Sequence, residues 1–293
     1  MGWISRKLAP AGLFLQMVKF EHTLFGLPFV LMGAFLAARG VPSLRALVWM
    51  VLAAAGARNF AMALNRYADR EQDLRNPRTR DREAFRGVLW GRTIWVLMAA
   101  FLALFLFSAY QLNRLAFFLS PWVALLVVVY SYSKRFTPLC HLLLGAVLGC
   151  APAGGWVAVR GELSWTPLVL FLGVALWVAG FDIIYSCLDL KFDAEENLHS
   201  LPRRLGPGRA LKLAAWMHGG TVACLLAVAW LEGLNGLYLG AVALAGGFLL
   251  LEHILVSPQD LSRVNLSFYN LNAAVSVVVA AGAVLDLFLP PLG

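Results

Sequence analysis

The polar stretch Asn65-Arg66-Tyr67-Ala68-Asp69-Arg70-Glu71-Gln72-Asp73 follows a long apolar segment. If the helix that reaches Asn65 continues, then Asn65, Asp69 and Asp73 lie on one face, because four residues are slightly more than one helical turn. Three side chains with oxygen ligands then point the same way, beside arginines. This pattern favours Mg²⁺, which commonly binds through one or two carboxylates together with substrate phosphates.

A second polar stretch repeats this spacing further along the chain. Asp189, Asp193 and Asn197 are again four residues apart, and the stretch begins 124 residues after Asn65. Two copies, each closing an apolar segment, indicate a weak internal repeat.

A charged residue stands seven residues before each stretch, within apolar sequence: Arg58 before the first and Asp182 before the second. Charged residues at membrane depth are costly and usually functional. An intramembrane ion pair is the alternative interpretation for each.

The composition excludes a soluble globular domain. Hydrophobic residues make up 60% of the chain and charged residues 14%, and the mean hydropathy is +0.74; these values are typical of a polytopic membrane protein. At about twenty apolar residues per span, the sequence predicts nine transmembrane helices. They lie near 22–38, 46–64, 88–109, 115–131, 139–159, 166–188, 213–231, 235–256 and 269–289.

The predicted fold is therefore an all-α polytopic membrane protein. We expect nine helices around a central cavity, as two related four-helix units plus one helix, in a single domain over 1–293. Residues 1–20 are expected to form an interfacial N-terminal segment. Four glycines of the fifth predicted span are expected to permit close helix packing; they are Gly145, Gly149, Gly154 and Gly155.

Basic residues are distributed unequally between the two sides of the predicted bundle. Of the 24 Lys and Arg residues, most fall on the side that carries both acidic stretches, so that side is predicted to be cytoplasmic. We expect a multi-pass protein of a bacterial inner membrane, with its active site facing the cytoplasm. The net charge of +8 on this face suits anionic lipid or an anionic substrate. Neither nucleic acid nor an obligate protein partner is expected.

Two carboxylate clusters ringed by basic residues indicate a substrate that carries phosphate. Metal ions bridge carboxylates to phosphate oxygens, while Arg and Lys take the remaining negative charge. Because the bundle is largely apolar, the rest of that substrate is expected to be lipid-like.

The motifs resemble those of the UbiA-type intramembrane aromatic prenyltransferases, over nearly the whole chain. The resemblance rests on the first stretch with Asn76-Pro77-Arg78-Thr79-Arg80, on Tyr130-Ser131-Tyr132-Ser133-Lys134-Arg135-Phe136-Thr137, and on Gly180-Phe181-Asp182 followed by Asp189-x-x-x-Asp193. The stretch Lys19-Phe20-Glu21-His22-Thr23-Leu24-Phe25 is similar to the 4-hydroxybenzoate polyprenyltransferase branch.

The resemblance implies a site that holds two Mg²⁺ ions and a polyprenyl diphosphate. The implied metal ligands form two sets: Asn65, Asp69 and Asp73, and then Asp189 and Asp193. The residues expected to contact substrate are Arg58, Asn65, Arg78, Arg80, Tyr130, Lys134, Arg135 and Asn197, where Asn197 is inferred from the internal repeat alone. The expected catalytic residues are Asp182, Asp189, Lys134 and Arg135.

The implied reaction is Mg²⁺-dependent transfer of a polyprenyl group to a ring carbon of an aromatic acid. The acceptor is expected to be 4-hydroxybenzoate, for ubiquinone, with a dihydroxynaphthoate of menaquinone synthesis as the alternative. Asp182 or Asp189 could act as general base towards the acceptor hydroxyl. A CDP-alcohol phosphotransferase is disfavoured because its Asp-Gly-x-x-Ala-Arg stretch is absent. An ion or anion transporter is the alternative of another class, although these carboxylates gather at one rim and not at mid-membrane.

The five histidines have no mutual metal spacing and are expected to be hydrogen-bonded or interfacial. They are His22, His141, His199, His218 and His253. Of these, only His22 and His199 stand close to the motif loops in the sequence.

Overall fold

The computed structural model describes residues 23–76, 79, 91–264 and 270–289. Every regular element within these residues is helical. The helices are α1 (Thr23–Ala38), α2 (Leu44–Ala68), α3 (Arg70–Arg75), α4 (Arg92–Leu112), α5 (Arg114–Ser133), α6 (Cys140–Arg160), α7 (Trp165–Ser186), α8 (Leu190–Glu195), α9 (Leu201–Leu205), α10 (Pro207–Glu232), α11 (Gly236–Leu255) and α12 (Asn272–Asp286), with one 3₁₀ turn, Cys187–Asp189, between α7 and α8.

The predicted all-α membrane fold is confirmed. Each of the nine apolar segments in the sequence corresponds to one long helix of the described residues. Seven of these, α2, α4, α5, α6, α7, α10 and α11, are long and apolar enough to cross a membrane. Because α1 and α12 are apolar but shorter, the count of nine crossing helices stays a prediction. The interfacial segment predicted at 1–20 lies outside the described residues.

The long helices form a six-helix ring and a three-helix group. In the ring, α1 packs on α6, then α7, α10, α11 and α12 follow in turn, and α12 returns to α1. Buried apolar side chains fill the interior of the ring, the largest being Trp177 and Tyr238. The three-helix group consists of α2, α4 and α5, and it contacts the ring mainly through α5 and α6. The predicted functional residues lie near this contact between the ring and the three-helix group.

The turns on one side of the bundle are fixed by side-chain caps. The Ser43 hydroxyl accepts a hydrogen bond from the Ala46 N–H at the start of α2. Asn113 does the same for Ala116 at the start of α5, and its amide donates to the Val157 carbonyl near the end of α6. These bonds satisfy helix-end groups that have no partner within a helix. They therefore fix the ends of the helices that lie away from the acidic stretches.

The predicted close packing of α6 holds at three of its four glycines. A methyl group added at Gly145 would come within 2.2 Å of the Ala175 carbonyl oxygen on α7, and one at Gly155 within 2.0 Å of the Val30 carbonyl oxygen on α1. Gly149 faces α7 in the same way, whereas a methyl group at Gly154 meets nothing within 4 Å. The expectation for Gly154 is therefore wrong, because that position faces open space.

Candidate active site

The first aspartate of each acidic stretch lies where a long helix gives way to a short one. Asp69 separates α2 from α3 with φ −93° and ψ 8°, and Asp189 precedes α8 with φ −97° and ψ 5°. The two carboxylates thus occupy the same kind of kink, in the sparsely populated bridge region of backbone space. This equivalence pairs Asp189 with Asp69, so the structural repeat is 120 residues, whereas the sequence pattern paired Asp189 with Asn65.

The first acidic stretch is held together by local pairs. The Asn65 side-chain amide donates to Asp69 Oδ2 over 3.0 Å, and Arg66 lies 3.1 Å from Asp73 Oδ2. The Asp73 N–H donates to the Asp69 carbonyl over 2.7 Å, so the helical i, i+4 pattern continues through the kink. The predicted grouping of Asn65, Asp69 and Asp73 is therefore present in the backbone.

The second acidic stretch is more deeply buried. Asp189 is 7% exposed and Asp193 is fully buried. Lys134, which follows the end of α5, places its ammonium 2.7 Å from Asp193 Oδ1. A fully buried carboxylate needs such a compensating charge, because desolvation of an ion is otherwise costly.

Two contacts and one shared charge connect the first stretch and the residues just after it with the second stretch. The Asn76 side-chain amide donates to Asp189 Oδ1 over 3.1 Å, and Arg75 forms an ion pair with Glu196 at 2.9 Å. The charge of Lys134 also acts on both Asp69 and Asp189. The structure therefore brings together the two motifs that the sequence predicted to face each other.

Electrostatics distinguish the two halves of this site. Burial, together with the negative charge of Asp73, raises the pKa of Asp69 to about 6, against the opposing effect of nearby basic residues. Burial alone would lower the pKa of Lys134, but the adjacent Asp193 carboxylate raises it above its ordinary value. Asp193 thus has an adjacent cation, whereas burial and Asp73 disfavour the charged form of Asp69.

Arg135 and Tyr130, both expected to contact substrate, lie close to the first stretch. The Arg135 guanidinium donates to the Ala68 carbonyl at the end of α2 and stacks over the Tyr132 ring at 5.1 Å. Tyr130 is near enough to Asp69 and Asp182 for both carboxylates to act on its hydroxyl. Arg135 therefore stabilises the kink, since a cation at a helix C-terminus is favourable.

Three further arginines were expected near the substrate. Arg58 is half-buried on α2, nearly two turns before Asn65. Arg78 and Arg80 lie outside the described residues. Their predicted substrate contacts stay predictions.

Asp182 is not isolated on α7. Its Oδ2 lies 2.6 Å from Nδ1 of His141, at the start of α6, and the other ring nitrogen of His141 accepts a hydrogen bond from the Leu201 N–H. This pairing was not predictable from the sequence, because the two residues are 41 positions apart and His141 belongs to no motif.

Asn197 is placed differently from the other predicted site residues. Its φ is 54°, and the Leu198 N–H bonds back to the Asp193 carbonyl, which is how a left-handed residue ends a helix. The Asn197 side chain is exposed and accepts from Arg203 at 3.2 Å. Its structural role is therefore to end α8, and substrate contact by Asn197 stays a prediction.

The donor set of the first stretch suits a hard divalent cation. Among the described residues no three His, Cys, Asp or Glu side chains are gathered tightly enough to hold one metal ion. Burial, and then the neighbouring Asp73 carboxylate, raise the pKa of Asp69, so its charged form is disfavoured without a further cation. A bound Mg²⁺ would supply the missing positive charge through oxygen ligands. The fit is clearest for Asn65, Asp69 and Asp73.

Comparison with known proteins fits this two-motif geometry. The model of the UbiA prenyltransferase family matches residues 26–275. The chain belongs to the UbiA prenyltransferase family. The expected resemblance is confirmed, and the protein is a prenyltransferase and an integral membrane protein.

Similar UbiA-family proteins extend over most of this chain. A 4-hydroxybenzoate octaprenyltransferase of Marinobacter nauticus is 32% identical over 259 residues, which is 86% of each chain. The apo structure of a UbiA homologue from Aeropyrum pernix K1 is 38% identical, with a TM-score of 0.82, and the match covers 91% of this chain and 98% of that one.

A UbiA homologue from Archaeoglobus fulgidus, solved with DMAPP and Mg²⁺, shares the fold at a TM-score of 0.69. It is 21% identical, and the match covers 91% of this chain and 98% of that one.

Proposed function

We propose that this UbiA-family protein transfers a polyprenyl group from a polyprenyl diphosphate to a ring carbon of 4-hydroxybenzoate, with Mg²⁺ as cofactor. The observation that carries the proposal is the joining of two carboxylate motifs around Lys134 at one end of the bundle. The similar octaprenyltransferase of Marinobacter nauticus supports this acceptor. The basic face and the bacterial relatives favour a bacterial inner membrane with the site on the cytoplasmic side.

The diphosphate end of the substrate would lie between the two stretches. Asn65, Asp69 and Asp73 would hold one Mg²⁺, and Asp189 with Asp193 a second. Bound Mg²⁺ supplies charge stabilisation for the departing diphosphate. Lys134 and Arg135 would neutralise the remaining phosphate charge. Loss of the diphosphate with the electron pair of the C–O bond leaves an allylic cation at the prenyl chain.

The acceptor would meet that cation from the side of Asp182. The Asp182 carboxylate takes the proton of the acceptor hydroxyl as the ortho ring carbon bonds to the prenyl carbon. The ring carbon then loses its proton to water, and the oxygen recovers a proton from Asp182. The net reaction releases diphosphate and one proton, and the apolar helices around the site keep water from the cation.

Purified protein with Mg²⁺ and a labelled polyprenyl diphosphate tests the proposal, with each aromatic acid supplied separately. We expect product from 4-hydroxybenzoate, lost in Asp69→Ala and Asp189→Ala but retained in Glu195→Gln, which neutralises an exposed carboxylate of the same region. Product only from a dihydroxynaphthoate would support prenyl transfer but assign the protein to menaquinone synthesis and not to ubiquinone synthesis. Diphosphate that is neither bound nor consumed with any acceptor would refute prenyl transfer and favour a transporter.

A further inference from the structure

The contact between His141 and Asp182 joins two neighbouring helices of the ring, α6 and α7. His141 is 3% exposed in its side chain, Asp182 is 25% exposed, and Nδ1 and Oδ2 are 2.6 Å apart. The pair therefore has one buried member and one member that reaches open space. A carboxylate in this position can meet a substrate while its other side is held by the protein.

The second ring nitrogen of His141 determines the tautomer. Nε2 accepts a hydrogen bond from the Leu201 N–H at 3.3 Å. A nitrogen that accepts carries no proton, so the proton of the neutral imidazole is on Nδ1. Nδ1–H therefore donates to Asp182, which takes part as a carboxylate acceptor. The backbone of α9 thus fixes which way the histidine presents its proton.

The stretch that supplies Leu201 is itself anchored on both sides. The His199 N–H donates to the Lys134 carbonyl over 2.7 Å, and the His199 carbonyl lies 3.6 Å from the Cys140 thiol. The Ser200 hydroxyl caps the first turn of α9. Because the segment cannot shift without breaking these bonds, the Leu201 N–H is a fixed donor and the His141 ring is held in one orientation.

We infer that His141 is a positioning residue for prenyl transfer, which it serves by orienting the Asp182 carboxylate towards the aromatic acceptor. The role of Asp182 as general base rests on the proposed function, whereas the contact between His141 and Asp182 is a feature of the structure. Since Nε2 is engaged by Leu201, His141 has no free site through which to pass a proton onward. The proton that Asp182 takes from the acceptor hydroxyl must therefore stay on Asp182 until it returns to the oxygen.

This arrangement assigns the two sides of the site to different substrates. In the proposed function, Lys134 and the acidic stretches would face the diphosphate, whereas the His141 ring contacts Asp182. Loss of His141 should lower kcat for acceptor prenylation and leave KM for the prenyl diphosphate unchanged. A misplaced general base commonly costs 10- to 100-fold in rate, so we expect a fall of about that size in His141→Leu.

The test combines single and double variants in full-length protein. His141→Leu removes both ring nitrogens, whereas His141→Gln keeps an amide that can donate to Asp182 and an oxygen that can accept from Leu201. We expect His141→Gln to retain activity within about threefold. His199→Leu serves as the matched control, because the His199 side chain is exposed and the described bonds of that residue come from its backbone.

The decisive readout is whether the effect of His141→Leu on kcat depends on Asp182. In the Asp182→Asn background, His141→Leu should lower kcat by less than about threefold further, because the residue through which it acts is already lost. A full 10- to 100-fold loss in that background would overturn the inference. So would wild-type kcat in His141→Leu with only a lower Tm, which would mean a purely structural histidine.

A stability measurement separates this inference from the proposed function. Thermal unfolding of the two single variants and the double variant needs no turnover. We expect the Tm of the double variant to be no lower than that of the less stable single variant. Both single changes break the same contact, between His141 and Asp182. Fully additive Tm losses would refute the pairing even if prenyl transfer is observed. Absence of prenyl transfer in the wild-type protein would instead refute the proposed function.

Discussion

The side-chain amide of Asn76 donates a hydrogen bond to Asp189 Oδ1 across 113 residues of sequence. Asn76 follows the first acidic stretch, and Asp189 begins the second. Both residues are buried, so their hydrogen bond is shielded from water and strengthened by the low local dielectric. Through it, the end of α3 fixes the first carboxylate of the other motif.

Replacement of Asn76 by Leu should separate the two motifs while keeping the volume similar. A hydrogen bond to a charged group contributes about 1.5–3 kcal/mol, so the free energy of unfolding should fall by about that amount. We expect product formation to fall at least about tenfold, since Asp189 loses part of its support. Thermal unfolding and prenyl transfer measure the two effects. Unchanged values for both would show that this bond does not position Asp189.

Lys134→Met should lower the free energy of unfolding, because it leaves the buried Asp193 carboxylate without its counter-ion. Removing one member of a fully buried pair costs about 3–5 kcal/mol. Because the Lys134 side chain is one-third exposed, we expect about 2 kcal/mol here. The double variant Lys134→Met with Asp193→Asn should recover most of the lost stability but not the binding of diphosphate. If the double variant were the less stable one, Lys134 would stabilise the fold by some contact other than Asp193.

The metal site can be examined without turnover. Asp69→Asn removes one charge from the first stretch, so Mn²⁺ used as a spectroscopic substitute for Mg²⁺ should bind at least about tenfold more weakly. Glu71→Gln is the matched control, because Glu71 is exposed on α3 beside the same carboxylates. Equal weakening in both variants would point to general electrostatic attraction and not to ligation by Asp69.

Substitutions of Asn197 test whether this residue ends a helix or contacts substrate. Its φ of 54° suits glycine, so Asn197→Gly should retain stability within about 0.5 kcal/mol, whereas Asn197→Ala should lose about 1 kcal/mol. Both variants should keep prenyl transfer close to that of the wild-type protein. A loss of activity common to both, at unchanged Tm, would restore Asn197 as a substrate contact.

Two glycines of α6 offer a matched pair for helix packing. Gly145→Ala places a methyl group 2.2 Å from a carbonyl oxygen of α7, while Gly154→Ala meets nothing within 4 Å. Overpacking costs about 1–3 kcal/mol, so only Gly145→Ala should lower the Tm. Comparable losses in both variants would contradict this assignment, because helix propensity favours Ala over Gly and a methyl group at Gly154 has no neighbour to crowd.

Hydropathy was sufficient to predict the helices, because a membrane requires long apolar segments. The segment predicted at 46–64 is the apolar part of α2, which runs to Ala68. The kink at Asp69 was not predictable, since Asp and its neighbours are compatible with a continuing helix. For the same reason the repeat was placed at 124 residues, although the kinks are 120 apart.

The acidic members of the site were predictable because their spacing follows the helical period. Their partners were not, because tertiary packing decides which polar groups meet. Asn76 stood only within a motif, and His141 was expected to be hydrogen-bonded or interfacial, with no partner indicated. In the structure each contacts a carboxylate more than 40 positions away. The spacing of residues in one segment carries no information about such distant contacts.

The separation of Asn76 and Asp189 also has a consequence for biosynthesis. At about 5–20 residues per second, the ribosome needs roughly 6 to 23 s to synthesise the 113 positions between them. During that time the nascent first motif must rely on partners made with it: Asn65 for Asp69, and Arg66 for Asp73. These short-range pairs let the carboxylates enter the bilayer surface already compensated, before the helix that completes the site has left the ribosome.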